Sequence, residues 1–215
     1  MPPAPAQPPA AARWQRRKDA RPQEILTAAL TVFGERGYAA TRLDDVARVA
    51  GVTKGTLYLY FPNKEELFKA VIRDTLVPAL DRIADAPAAA TAAEAIERMV
   101  GAFQGLAASP IAAIPKIVIG ESGNFPELAR FYLDEVVGRG LDVIRKILQR
   151  GVDSGEFRPL DAEHAAYCAV APLVVALLWT HAFGPVASRP LDIGALCRAH
   201  LDLMLTGLLP REAAP

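Results

Sequence analysis

The sequence predicts an all-α protein in two parts, a short helical head followed by a larger helical body. Three observations carry that expectation. Apolar residues recur at the three- and four-residue spacing of helices. No hairpin signal or sustained period-two alternation appears. Hydrophobic residues make up 52% of the 215, enough side chain to bury a substantial core.

Element by element, Met1 to Ala12 is rich in Pro and Ala and leads into Arg13, Arg16, Arg17 and Lys18. Residues 1–20 are expected to be a disordered basic tail, with no apolar stretch resembling a signal peptide. Its cations could also follow a DNA backbone. The first helix is expected from about Arg21 to Gly37, on a stripe of Ile25, Leu26, Ala29, Leu30 and Phe33, with Gly37 as its stop. Thr41 can cap a second helix, with Asp44 at the reciprocal position. Gly51 turns the chain, and Thr53 can cap a third helix over roughly Lys54 to Tyr60. Pro62 and Asn63 break it, and Asn63 with Glu66 opens a fourth helix that continues to about residue 83. Pro78 falls late in that helix and predicts either a bend or an end near Val77.

The Ala, Pro and Thr run from Ala84 to Ala93 reads as the connection into the body, residues 84–210. Six helices are expected there, at about Ala92 to Ala108, Pro110 to Gly120, Pro126 to Val137, Gly140 to Asp153, Ala162 to Phe183 and Asp192 to Leu209. The stretch from Ala165 to Ser188 contains no Asp, Glu, Lys or Arg and is long enough to cross a bilayer. Pro172 at its middle and the absence of strongly basic flanks favour a helix buried between its own domain and a partner chain, with no membrane.

Charge divides along the chain. Residues 1–80 carry 12 Lys and Arg against 8 Asp and Glu, and the remainder carries 12 against 16, so a basic first third precedes an acidic body. Cys168 and Cys197 lie isolated in apolar patterns and read as buried small hydrophobes of a reducing, cytoplasmic setting. No paired carboxylates with a histidine, no metal cluster and no cofactor motif stand out, so catalytic residues, metals and cofactors are expected to be none; a helical enzyme is the remote alternative.

The informative stretch is TRLDDVARVAGVTKGTLYLYFPNK, Thr41 to Lys64. Two short helices joined by a tight turn at Gly51 form a helix-turn-helix, whose second helix is the candidate DNA reader. Its outward positions, Thr53, Lys54, Gly55, Thr56, Tyr58 and Tyr60, are small, hydroxylated, aromatic or basic, and none is acidic. Such a surface suits a groove lined by phosphate.

From Gln23 to about Leu76 the chain resembles the DNA-binding domain of the TetR family of bacterial regulators. The resemblance runs through Phe33, Gly37, Tyr38, Thr41 and Arg42, and then through Gly51 to Lys64. It implies that Thr41 and Arg42 anchor the second helix on phosphate, that Lys54, Gly55, Thr56 and Tyr58 approach base edges, and that Tyr60 and Lys64 clamp the flanking backbone. Thr41, Thr53 and Asn63 can equally be caps, and Tyr58 and Tyr60 half-buried surface aromatics.

One reading helix sees too few base pairs to be specific, so a homodimer on a pseudo-palindromic double-stranded operator is expected. The resemblance implies pairing through the last two helices, with Leu173, Leu177, Leu201, Met204, Leu205 and Leu208 as candidate seam residues. The middle helices are expected to enclose a pocket for a small apolar or amphipathic effector. The candidates are Met99, Phe103, Ile117, Glu121, Phe125, Tyr132 and Trp179, each also explicable as ordinary core, and Glu121 also as a surface residue. The expected function is a repressor released by that ligand. A regulator without a ligand, or an activator, stays open.

Overall fold

A computed structural model of the chain describes residues 10–84 and 91–210, with side chains from residue 21 onward. All regular structure among these residues is helical. The chain divides into two compact units at Val71 and Ile72, a boundary that falls inside one helix.

In the first unit, α1 spans Ala10–Ala40, α2 Leu43–Val49 and α3 Lys54–Tyr60; α4, Lys64–Ala84, begins here. α1 starts well before the expected Arg21. Residues 10–20 of the expected tail are therefore helical backbone, in keeping with the high helix propensity of Ala, Arg, Lys and Gln. Residues 1–9 lie outside the described residues. Gly37 interrupts α1 at φ 76°, a left-handed backbone that turns the chain toward α2. The core is close-packed around Phe33, which lies 4.8 Å edge-on to Phe68 and 5.8 Å from the Tyr38 ring. Ile25, Ala29, Val46, Leu57 and Leu67 complete it, each at most lightly exposed. Asn63 caps α4 as expected, accepting from the Glu66 amide at 2.8 Å. α4 runs through Pro78 to Ala84, matching the expected extent to about residue 83, and the alternative of an end near Val77 does not occur.

The second unit contains the rest of α4 and six further helices: α5 Ala92–Ala107, α6 Ile114–Glu121, α7 Pro126–Tyr132, α8 Arg139–Asp153, α9 Ala162–Ala182 and α10 Ile193–Leu208. A 3₁₀ turn at Pro110–Ala113 leads into α6. Instead of a break near Gly138, a π turn at Leu133–Gly138 joins α7 to α8, and Gly138 keeps helical φ and ψ. The turn from Gly155 to Asp161 ties the helix ends together. The Glu156 carboxylate accepts from the amides of Ala92 and Ala93 at 2.7 and 2.8 Å, satisfying the start of α5. Arg158 donates to the carbonyls of Leu208 and Gly207 at the end of α10. Asp161 caps α9. Residues 85–90 of the expected connection lie outside the described residues.

α9 is the one described helix that is long and apolar enough by itself to cross a membrane. One of its faces, Ala162, Ala166, Ala169, Leu173, Ala176 and Leu177, is buried in the unit's own core. Cys197 is buried as expected, whereas Cys168 is exposed on the opposite face of α9, a correction to its reading as core. A helix apolar all round gives no sign of which face turns inward.

Candidate DNA interface and ligand cavity

The helix-turn-helix is set by its buried residues. α2 packs Val46 and Ala47 inward, and α3 has a single fully buried anchor, Leu57. The turn closes with the Val52 amide on the Ala47 carbonyl at 2.9 Å, and Gly51 adopts φ 65°. Arg36 reaches from α1 to Asp45 at 2.6 Å. α3 starts at its expected cap: Thr53 Oγ1 accepts from the Thr56 amide at 3.1 Å and lies 2.8 Å from the Thr56 hydroxyl.

With Leu57 turned in, Lys54, Gly55, Tyr58 and Leu59 are exposed and Thr56 and Tyr60 are half-buried. A Cβ on Gly55 would meet nothing closer than Thr53 Oγ1 at 4.0 Å. Packing therefore does not require glycine there, and the bare backbone leaves room for an approaching surface. Leu59, 84% exposed, shares this face and was missed, because its leucine pattern reads as core. Arg42 is exposed just ahead of α2. Lys54 pairs with Asp44 of α2 at 2.8 Å, and its ammonium lies 5.9 Å from the centre of the Tyr58 ring. The hydrogen bond to Asp44 holds the Lys54 ammonium above its usual range. Both partners are exposed, so the pair is weak and readily exchanged for a phosphate.

Two expected contacts are placed differently. Thr41 is 2% exposed and its hydroxyl donates to the Gly37 carbonyl at 2.6 Å, while Arg42 occupies the cap position of α2 without a side-chain bond. Thr41 is thus neither the cap nor a surface hydroxyl; it fastens the turn after α1. Lys64 directs its ammonium to the carbonyls of Tyr38 and Ala39 at 2.8 and 3.0 Å, and over the Tyr38 ring at 4.5 Å. It satisfies the carbonyls at the end of α1, where a cation is favoured, instead of projecting freely as a phosphate clamp.

The second unit holds a half-open cavity of about 1090 Å³ lined by α4, α5, α8 and α9 with the start of α6 and the π turn. Met99, Phe103 and Tyr132 line it, as expected. Burial pushes the Tyr132 phenol well above its usual pKa, which keeps it a neutral hydroxyl. The other four expected pocket residues do not line it. Ile117 is buried away from the cavity; Glu121 is half-buried and accepts from the Asn124 amide group at 3.2 Å; Phe125 precedes α7; and Trp179 is 47% exposed, 5.1 Å from the Phe183 ring. Leu173 and Leu177, expected at a dimer seam, are instead cavity wall. Leu208 is buried, and Leu201, Met204 and Leu205 are half-buried against the same core. The large exposed apolar residues of α9, its following turn and α10 are Tyr167, Val175, Trp179, Phe183, Val186 and Leu203. Among the described residues no group of three His, Cys, Asp or Glu could hold a metal.

Residues 25–71 match the family model for bacterial regulatory proteins of the tetR family, and residues 86–192 match that for the tetracyclin repressor-like C-terminal domain. The chain is 30% identical to the HTH-type transcriptional repressor KstR2 of Mycolicibacterium smegmatis, over 87% of this chain and 90% of that one. It is 27% identical to the fatty acid metabolism regulator protein of Bacillus subtilis, over 89% and 98%. The solved structure of FadR from Bacillus subtilis in complex with stearoyl-CoA superposes with a TM-score of 0.73 at 26% identity, covering 86% of this chain and 98% of that one. Helix-turn-helix, helical body and both family matches agree: this chain belongs to the tetR family of bacterial regulatory proteins and is a DNA-binding transcriptional regulator.

Proposed function

We propose that this regulator is a cytoplasmic homodimeric repressor that leaves a pseudo-palindromic operator when a small amphipathic molecule fills the cavity of its second unit. The observation that carries the reading is that cavity, about 1090 Å³ of half-open space with a largely apolar wall beside the unit's buried core. Apolar wall left facing water is unfavourable, and an apolar guest that covers it gains the corresponding burial. Relatives named as regulators of fatty acid metabolism, one of them solved with stearoyl-CoA, support a metabolite as that occupant.

In this reading Arg42, Thr53, Lys54, Gly55, Thr56 and Tyr58 face the major groove, with Tyr60 at its edge. Lys54 exchanges Asp44 for DNA. Thr41 and Lys64 act from behind, by fixing the end of α1. The seam between two copies uses the exposed faces of α9 and α10, centred on Val175, Trp179, Phe183 and Leu203, since the buried leucines of α9 are already occupied by the cavity wall. Covering that face with a second copy, and not with lipid, accounts for the exposed half of an apolar helix.

The test is selection of genomic fragments by the purified protein, followed by footprinting. Two protected half-sites about 34–36 Å apart along the duplex, or a multiple of that, are expected. A protein that retains no fragment preferentially at moderate ionic strength overturns the reading.

A further inference from the structure

We infer that the cavity takes an amphipathic anion, a long apolar chain carrying a phosphate-bearing headgroup, with the headgroup on a cationic rim made by Arg82, Arg98, Lys146 and Arg150. The inference rests on the ligand-release reading above and names the ligand's chemical class.

The lining of the cavity contains those four cations and no Asp or Glu among the described residues. That is unexpected by composition, because residues 81–215 carry 12 Lys and Arg against 16 Asp and Glu. Pairing sets the rim apart from its neighbours on the same helices. On the second unit's part of α4 and on α8, cations outside the lining are matched: Arg73 with Glu135, Arg139 with Asp81 and Glu135, Arg145 with Asp142. The four rim cations form no ion pair with any described residue. Unpaired like charges around one opening repel one another and concentrate an anion there.

They also gather at one end. Arg82 lies in the last turn of α4, Arg98 in the second turn of α5, Arg150 in the last turn of α8 and Lys146 one turn before it. Arg150 donates to the Thr91 carbonyl at 3.1 Å, which places the end of α8 beside the start of α5. From there the wall becomes apolar toward the end of α5 and the start of α6, through Met99, Phe103, Leu106, Ile111 and Pro115. The four cations are exposed at the mouth, so a neutral lipid gains nothing from them, and an amphipathic cation would be repelled. A single carboxylate would match only part of the rim. The 1090 Å³ volume lies just above the range of about 300–1,000 Å³ that suits drug-sized ligands, so a long chain has space.

The test is calorimetric titration of the full chain, without DNA, with palmitoyl-CoA, palmitate, coenzyme A and hexadecanol, all at submicellar concentration. Palmitoyl-CoA is expected to bind at least tenfold more tightly than each of the others, and to weaken as salt rises. The double variant Arg98→Gln, Lys146→Gln is expected to lose tenfold or more in palmitoyl-CoA affinity while binding hexadecanol as before, which shows that the cavity is still formed. Arg150 is left in place because it also holds Thr91. Hexadecanol or palmitate binding as tightly as palmitoyl-CoA, or a double variant with unchanged affinity, overturns the inference. Fragment selection on the same preparation separates the two readings: specific DNA binding without anion binding defeats the rim alone, and absence of DNA preference defeats the repressor reading alone.

Discussion

Around Phe33 in the first unit, three aromatic rings meet within 6 Å; around Phe103 in the second, the helices line an open cavity of about 1090 Å³. The difference follows from what each region does. A groove-reading element must hold α3 at one angle, and close packing in rotamer minima gives it that rigidity. A sensing element must admit a guest, so part of its apolar surface is left facing space. Truncation measures this contrast with the largest expected effect. Phe68→Ala, in the filled core, is expected to cost about 3–5 kcal/mol. Phe103→Ala, at a wall that already borders empty volume, is expected to cost well under half of that. Denaturant unfolding monitored separately in each variant checks the ordering, and equal losses at the two sites would remove the distinction between filled and hollow cores.

Two glycines sharpen the comparison at a smaller scale. Gly151 in the second unit has ordinary helical backbone, but a Cβ there would lie 2.1 Å from the Phe157 ring. Gly51 in the first unit has open space around it and a φ of 65°. One glycine is needed for room and the other for conformation. Gly151→Ala forces Phe157 out of a buried site and is expected to cost about 1–3 kcal/mol. Gly51→Ala is expected to cost about 1–2 kcal/mol through backbone strain alone. Gly51→Asn tells the mechanisms apart: Asn tolerates left-handed backbone, so it should restore part of the Gly51 loss, whereas Gly151→Asn should be worse than Gly151→Ala. Melting temperatures of the four variants suffice, and a rescue by Asn at residue 151 would contradict the steric account.

The head was legible in the sequence because its determinants are local. Gly37, Gly51, Thr53 and Asn63 each declare a turn or a cap within a few residues of where it acts, and α3 has the bounds its pattern predicts. Thr41 and Lys64 were misplaced for the opposite reason. Both side chains bond to carbonyls at the end of α1, the Lys64 pair 25 and 26 residues away, and neither residue type signals such a partner. In the body, helix positions were legible and helix rotations were not. α9 is apolar on every side, so nothing distinguishes Leu173 and Leu177 at the cavity from Val175 and Trp179 on the exposed face. The rim cations escaped notice for a related reason: Arg82, Arg98, Lys146 and Arg150 come from three helices and converge only in the fold.

The smallest expected effect concerns acid, and again it separates places in the molecule. At the start of α9, the Asp161 carboxylate beside His164 raises the imidazole's pKa, and both groups are fully solvated. At its end, burial, with the Lys116 ammonium nearby, holds His181 below the usual 6.5, and its Nε2 is buried without a hydrogen-bond partner. The signs are opposite. A raised pKa contributes stability that is complete below 6.5 and disappears as pH rises through the folded value. A depressed pKa means that, as pH falls below 6.5, the unfolded chain takes up a proton that folded His181 refuses, so stability declines toward acid. Between pH 7.5 and 5.5, His181→Asn is therefore expected to flatten the acid-side fall in melting temperature, and His164→Ala to steepen it slightly. The His164 effect should be the weaker, since solvent and salt screen an exposed pair. Lys116 donates to the His181 carbonyl at 2.7 Å, so Lys116→Met tests the cause directly. It should move the His181 midpoint only a little if burial dominates, and a large upward move would assign the depression to charge.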